Sequence, residues 1–529
     1  MPEPRVHDIA VVGSGFAGSI VARIARRLGF DVLLLERARH PRFAIGESAT
    51  PLANLLMEEL GNRYNFEDLV NLSKWGTWQE HHPEIGCGLK RGFSFLYHQP
   101  GERFAARQDR SDQLMVAASP SDHIADMHWY RPDFDTHMME QARAMGVDYC
   151  DRVELGAPTF AQGVWELSGQ RPGNRQKRWR ARYLVDASGI RGLLHRSLGE
   201  PESRYPGLPA TRSLFSHFRG VRRLVGAEHF PFPEGTPYPV DDAALHHVFP
   251  GGWVWVLRFA NGITSAGIAA TEPLAAELAL EEGEPAWRRL LSRYPTLGDQ
   301  FAKAKATVPF VHLPNLSYRS QRSSGAAWYR LPSSAGFVDP LLSTGFALTL
   351  LGIRRFLLAL EDSRGNLGKQ FDARVAAIGA RSLQETDAVA RLIAALYATM
   401  DDFALFRELA KLYFAAASFG ESARRLGKPA LTDAFLCIDR PDFAGHMNHA
   451  CDLAIDERDR SGARAEILST IQAALAPIDI AGLTDPARNA WYPVIPADLL
   501  AARHKLHSTE SELCAMLSRC GIELEVPDR

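Results

Sequence analysis

Cysteine is scarce in this chain, and its six thiols are not spaced to act together. Cys87, Cys150, Cys437, Cys451, Cys514 and Cys520 form no C-x-x-C pair, and six in 529 residues is too few for a disulfide scaffold. That fits a reducing cytoplasm. An excess of one charge is also missing. Sixty basic residues stand against 62 acidic, a net charge of −2, which offers no broad attraction to nucleic acid or anionic membrane. The basic run between Arg171 and Arg182 reads as a solvated loop. The N-terminal Met-Pro-Glu-Pro-Arg has no apolar signal region. Uninterrupted apolar stretches stay shorter than the ~20 residues of a membrane span. These absences predict a cytoplasmic protein with no nucleic-acid or membrane partner. Metal ligands are not grouped either. His246 and His247 are adjacent, so on a strand they face opposite ways. His446 and His449 share a helix face without further ligands, so no metal is expected.

What is present begins at the N-terminus. Residues 9–12 are an apolar, β-branched run ending at Gly13-Ser14-Gly15-Phe16-Ala17-Gly18. Residues 19–28 then carry Ile20, Val21, Ile24, Ala25 and Leu28 at helical spacing, Gly29 stops the helix, and 32–35 is a second buried strand closed by Glu36. Each part has a task in holding a dinucleotide. Gly13 permits the tight turn, Gly15 lets backbone approach a pyrophosphate, and Gly18 lets helix and strand pack closely. The helix N-terminus offers N–H groups and a positive dipole end to the phosphates. Glu36, followed by Arg37, can accept hydrogen bonds from ribose hydroxyls.

Four further segments resemble flavin-dependent halogenases and related monooxygenases. His40-Pro41-Arg42-Phe43-Ala44-Ile45-Gly46-Glu47-Ser48 is similar to the stretch that lies along the flavin in that family. Tyr130-Arg131-Pro132-Asp133-Phe134-Asp135 resembles its arginine motif, whose Arg contacts the cofactor. Tyr183-Leu184-Val185-Asp186-Ala187-Ser188-Gly189 resembles its Asp–Gly turn. Residues 335–345, Ala-Gly-Phe-Val-Asp339-Pro340-Leu-Leu-Ser343-Thr344-Gly345, resemble the segment closing the FAD site. The resemblance covers roughly residues 7 to 360 and is closest to tetracycline-type halogenases. It implies an α/β FAD-binding fold of the glutathione reductase and p-hydroxybenzoate hydroxylase type, with FAD as cofactor. It further implies a mixed substrate-side sheet and an α-helical C-terminal extension. One departure is visible. Pro332-Ser333-Ser334 stands where related flavoproteins carry Gly-Asp, and Asp339 is the candidate to take over part of that role.

The family's chemistry starts from reduced flavin and O2, giving a flavin hydroperoxide. A hydroxylase passes its oxygen to an aromatic ring, whereas a halogenase oxidises halide to hypohalous acid, which travels to a lysine. Lys90, in Gly88-Leu89-Lys90-Arg91-Gly92-Phe93-Ser94-Phe95, matches the lysine pattern and is expected in a pocket with Phe93, Phe95 or His98. Lys74 is a second candidate. A lysine in apolar surroundings has a lowered pKa. Trp253 and Trp255 keep the family's Trp-x-Trp, face one side of a strand, and could wall the channel between flavin and substrate. The Ile-Pro that usually follows is replaced by Leu257-Arg258, which adds a charge that could meet an anionic group.

That replacement favours an FAD monooxygenase hydroxylating an indole or phenol, free or carried on a peptide or protein. A related branch dihydroxylates a protein-borne tryptophan during tryptophylquinone maturation. Halogenation through Lys90 is the alternative, and a non-catalytic FAD-binding protein is a third reading. Only one dinucleotide fingerprint is present, so electrons come from a separate flavin reductase or from NAD(P)H, and both routes stay open. A chain this long exceeds a single core of about 250–300 residues. The expected division is a flavin-binding unit (1–60, 105–200, 325–360), a substrate-side sheet (61–104, 201–324) and a helical region (361–529). Helices are predicted over 346–360, 387–400, 403–419, 464–475 and 496–504, with the helical third acting as a cap over the pocket or a docking surface.

Overall fold

A computed structural model describes residues 5–173, 175–226 and 234–522. Its first layer is a sheet with five parallel strands in the order Trp328–Arg330, Arg175–Asp186, Val6–Val12, Val32–Leu35 and Asp148–Cys150. The two central strands are buried on both faces, as a parallel sheet covered by helices requires. One covering helix, Phe16–Arg27, packs Ile20, Val21, Ile24 and Ala25 inward with no exposure at all.

A second, mixed sheet runs Lys305–Ala306, Thr211–Arg219, Thr264–Thr271, Gly252–Arg258, Ala244–Phe249, Gly92–Tyr97, Gln113–Ala117 and Trp491–Tyr492. Gln113–Ala117, expected with the flavin-binding unit, pairs here with Gly92–Tyr97. Its Leu114 and Met115 point to opposite faces and are both fully buried, so the strand is specified by packing on two sides. A two-stranded ribbon, Cys87–Lys90 with Asp126–Trp129, joins the layers and sets Lys90 opposite Asp126.

The C-terminal third is helical: Lys369–Ala398, Phe403–Arg425, Pro441–Asp452, Ala463–Leu475 and Glu510–Arg519 are its longer helices. It returns one short strand, Trp491–Tyr492, to the edge of the second sheet. The helix Thr344–Ser363, with the turn before it, departs from the sequence expectation about apolar length. Residues Leu341–Ser363 are long and apolar enough to cross a membrane by composition, but 72% of that apolar stretch is buried. Arg354 and Arg355 interrupt the strict apolar run, which is why a residue-by-residue reading passes over it. Packed against Pro51–Tyr64 and Lys369–Ala398, it is a core helix.

Candidate active site: a flavin cleft and a buried lysine

The glycine turn is built as the dinucleotide fingerprint requires. Gly13 has φ +101°, and a Cβ there would lie 2.4 Å from the Ala187 carbonyl oxygen. A Cβ on Gly18 would meet the Gly13 oxygen at 1.9 Å. Only glycine fits either place. A Cβ on Gly15 would sit 3.3–3.4 Å from the guanidiniums of Arg42 and Arg131 and from Asp135. Two cations therefore face the bare backbone at a helix N-terminus, which suits a pyrophosphate.

Arg131 is held rigidly. Its Nε and Nη2 donate to the two oxygens of Asp135, each at 2.8 Å, and Nη1 donates to the carbonyls of Gly46 (2.8 Å) and Ile45 (3.2 Å). Asp135 Oδ1 also accepts the Phe16 N–H, fixing the start of the helix. Glu36 accepts from the N–H groups of Ser14 (2.9 Å) and Ala38 (2.8 Å). Its burial acts to raise the carboxyl pKa, but Arg42 and those two N–H groups outweigh it, and the net direction is downward. The buried Nε of Arg42 has no partner within the protein. That donor, with the Gly15 cradle, fits the phosphates of FAD. Arg37 is exposed beside Glu36.

Asp186 works inward. It accepts from the N–H groups of Ser188 and Leu194 and so shapes the Ala187–Gly189 turn. Ser334, at the departure from Gly-Asp, accepts the Gly189 N–H through its hydroxyl at 2.9 Å. Asp339 is buried and committed to the closing loop, accepting from Leu341 N–H (2.9 Å) and Tyr397 Oη (2.9 Å). Burial pushes its carboxyl up to about 7. The structure thus gives Asp339 a loop-building position and leaves the polar contact at the turn to Ser334. After Pro340 the backbone turns left-handed at two non-glycine residues, Leu342 (φ 68°) and Ser343 (φ 54°), before Thr344 opens its helix. Such conformations persist only where the surroundings impose them, and they cluster at functional sites. Gly345 is exposed, and nothing would touch a Cβ there. Glu47, next to the exposed Gly46, is buried and paired with His217 at 2.7 Å.

Lys90 has no solvent exposure. Its Nζ donates to the Ala49 carbonyl (2.6 Å) and to Ser48 Oγ (3.0 Å), and it lies 3.9 Å from the centre of the Phe93 ring. Ser48 Oγ in turn contacts Ser343 Oγ at 3.1 Å. A three-member polar chain therefore runs from the closing loop to the lysine. Burial pushes the Lys90 pKa down, while Asp126 across the ribbon acts in the opposite sense. Phe93 stacks towards Phe95. His98 lies on the far side of the sheet, hydrogen-bonded to His247 at 2.8 Å, so it takes no part in the lysine pocket.

Trp253 and Trp255 share a face, 5.7 Å apart. Trp253 Nε1 donates to Tyr397 Oη at 3.2 Å and its ring meets His246, which stacks on Phe95. It therefore stands between the closing loop and the lysine's aromatic neighbours. Trp255 bonds Ser265 and packs beside Phe215, which stacks on Phe43 of the flavin-side stretch. Arg258 falls on the other face. It pairs with the buried Asp241 at 3.2 Å and donates to the carbonyls of Val221 and Arg222. The charge that set this chain apart is consumed away from the tryptophans.

Beyond Lys90 lies a cavity of about 230 Å³, lined in part by Thr50, Asn54, Phe93, Asp126, Tyr413 and Met516. The helical third forms much of its wall. Lys74 also lines it, 3.6 Å from Glu58. Sequence reasoning missed Asn54, Asp126 and Tyr397. The available signal for Asp126 was a lone acid between Ala125 and Met127 at the start of the strand Asp126–Trp129.

Residues 8–311 match the family model for FAD dependent oxidoreductases. The chain is 31% identical to tetracycline 7-halogenase of Kitasatospora aureofaciens over 356 residues, covering 65% of this chain and 61% of that protein. It is 27% identical to monodechloroaminopyrrolnitrin halogenase PrnC of Pseudomonas fluorescens, covering 67% and 62%. The matched region thus spans about three fifths of either relative. The structure of halogenase PltM in complex with phloroglucinol and FAD shares the fold, with a TM-score of 0.81 at 24% identity over 91% of this chain and 99% of that one. The chain belongs to the FAD-dependent oxidoreductase family, has flavin-dependent halogenases among its relatives, and takes FAD as its cofactor.

Proposed function

We propose that the enzyme is a flavin-dependent halogenase acting on a small, free, electron-rich aromatic, with electrons delivered by a separate flavin reductase. The observation that carries this reading is the placement of Lys90. On one side it is tied through Ser48 to Ser343 of the closing loop. On the other it meets Phe93 and pairs across the ribbon with Asp126, two residues that line the cavity. Bound and reduced, FAD supplies with O2 the two-electron oxidation of halide to hypohalous acid. Gly15, Arg42, Arg131 and the Thr344 helix start hold and orient the cofactor. The Trp253–Tyr397–Asp339 chain fixes the loop against the second sheet. Lys90, itself without solvent exposure, would receive the hypohalous acid by hydrogen bonding and present it to the ring.

Hydroxylation rested on Arg258 replacing the family's proline. That side chain is turned to the opposite face and neutralised by Asp241, so it supplies no reason to prefer oxygen transfer. A cavity of about 230 Å³ has room for one small ring system. The test separates chemistry at the flavin from chemistry at the lysine. Lys90→Ala is expected to retain FAD and to reoxidise reduced flavin with O2 at the wild-type rate, while halogenated product falls at least a thousandfold. Halogenated product persisting in Lys90→Ala would refute the assignment.

A further inference from the structure

A second cavity, of about 680 Å³, is lined by the helices Phe403–Arg425 and Ala463–Leu475 and by the loop that leads into the strand Trp491–Tyr492. Small-molecule sites have this size, about 300–1,000 Å³. Leu468, Leu475, Leu483 and Tyr492 give it an apolar wall, and the last two also line the cavity beyond Lys90. Three cations belong to the lining. Lys411 is paired with Glu408 at 2.8 Å, and Arg464 with Asp402. Arg407 instead donates Nη1 to the carbonyls of Arg110 (2.7 Å) and Gln113 (3.4 Å), and its Nε is buried without a partner. Asp109, which feels its charge, is exposed to solvent. Asp485, the other acid in the lining, is turned to Arg488 (3.4 Å) and to the Ala487 N–H (2.9 Å). The loop is strained where it meets the cavity. Asn489 (φ 43°) and Ala490 (φ 70°) are consecutive left-handed residues in the lining. Arg110 holds them by donating to the carbonyls of Arg488 (3.2 Å) and Asn489 (3.4 Å), and the Met115 N–H donates to the Ala490 carbonyl (2.8 Å). Side chains persist in that backbone region only where the surroundings impose it, and such residues cluster at ligand sites.

We propose that this cavity is a second ligand site, for an organic carboxylate with an apolar body. The carboxylate takes the Nε–Nη2 edge of Arg407, the edge that the two carbonyls leave unused, in the parallel two-bond geometry that suits a guanidinium. It meets a buried donor that is costly to leave unsatisfied. The body lies against Leu468, Leu475 and Tyr492. A small inorganic anion would leave that wall wet, and a neutral apolar molecule would leave Nε unmet. Tyr492 pairs with Val116, which pairs in turn with Phe93, so the ligand rests two strands from the aromatic neighbour of Lys90. No bond is made or broken in this cavity. Its occupancy requires neither flavin nor halide, and the site stands whether or not halogen transfer is the reaction.

The test titrates the FAD-loaded full chain calorimetrically with 2-naphthoate and octanoate, each against its neutral amide. At least one carboxylate is expected to bind about tenfold more tightly than its amide, as a hydrogen bond between charged partners implies. Preference confined to 2-naphthoate assigns a ring as the body, and preference confined to octanoate an acyl chain. Arg407→Gln should erase the preference. Leu468→Trp, which fills the cavity and keeps the guanidinium, should weaken the carboxylate about tenfold and gives a second reading should Arg407→Gln fail to fold. Met516→Trp, which fills the cavity beyond Lys90 instead, should leave the affinity within about threefold. Equal binding of carboxylate and amide by wild type, including no binding of either, overturns the proposal and needs no variant to read. So does a preference that survives Arg407→Gln. An affinity lost in Met516→Trp and kept in Leu468→Trp places the carboxylate beside Lys90 and overturns it as well.

Discussion

Lys90 is an amine where water cannot reach it, and residues of that kind are kept for chemistry more than for stability. Replacing a buried pair of ionisable groups by apolar ones of similar volume is often neutral or stabilising, whereas removing one partner strands the other. The double variant Lys90→Met with Asp126→Leu is therefore expected to leave unfolding free energy unchanged or raised by about 1 kcal/mol, measured by urea denaturation of the FAD-loaded protein. A loss of several kcal/mol would mean that the two are structural struts. Arg258 gives the opposite case. Arg258→Pro restores the family's residue but strips Asp241, which has no side-chain exposure, of its closest cation. It should cost about 3–5 kcal/mol without changing the product class. A switch of product in that variant would show that the position governs chemistry after all.

At the scale of elements, legibility followed locality. The strand, glycine turn, helix and second strand at the N-terminus were readable because each signal lies within a few residues of the feature it specifies. The helix Lys369–Ala398 was read only from 387, since 369–386 divides evenly between polar residues and apolar residues or glycine and buries its apolar stripe by packing on Thr344–Ser363. The pairing of Lys90 with Asp126 spans 36 residues and no local pattern encodes it. The opposite orientations of His246 and His247 were readable from strand alternation alone. The second sheet and the ribbon also predict an acid response. His98, His128 and His246 are buried, and burial first, with Lys90 nearby for the latter two, pushes each down to about 3 from an ordinary 6.5. Below pH 6.5 the unfolded chain takes up protons that the folded one refuses, so stability present above that pH is lost as pH falls towards 3. Each group contributes a slope of about 1.4 kcal/mol per pH unit. His98→Gln should remove one such increment from the fall in urea stability between pH 6.5 and 4. An unchanged slope would show that His98 protonates freely in the folded state.

At the scale of the whole molecule, the cavity is closed by segments that lie far apart in the chain. Thr50 and Asn54 come from the flavin-side region, Phe93 and Asp126 from the ribbon and second sheet, and Tyr413 and Met516 from the helical third. This is why its size was not legible in the sequence: no single stretch encloses it. Met516→Trp is expected to fill part of the space, raising KM for an aromatic at least tenfold while leaving FAD content unchanged. An unaltered KM would place the aromatic elsewhere.

The account's central claim is that oxidising power generated at the flavin reaches the substrate as halogen carried by Lys90, not as oxygen. The most direct measurement is mass spectrometry of products from reduced FAD, O2 and a panel of phenols and indoles, with and without bromide. The expected product carries the bromine isotope doublet, requires bromide and disappears in Lys90→Ala. A product heavier by one oxygen, formed equally with and without bromide, would contradict the account.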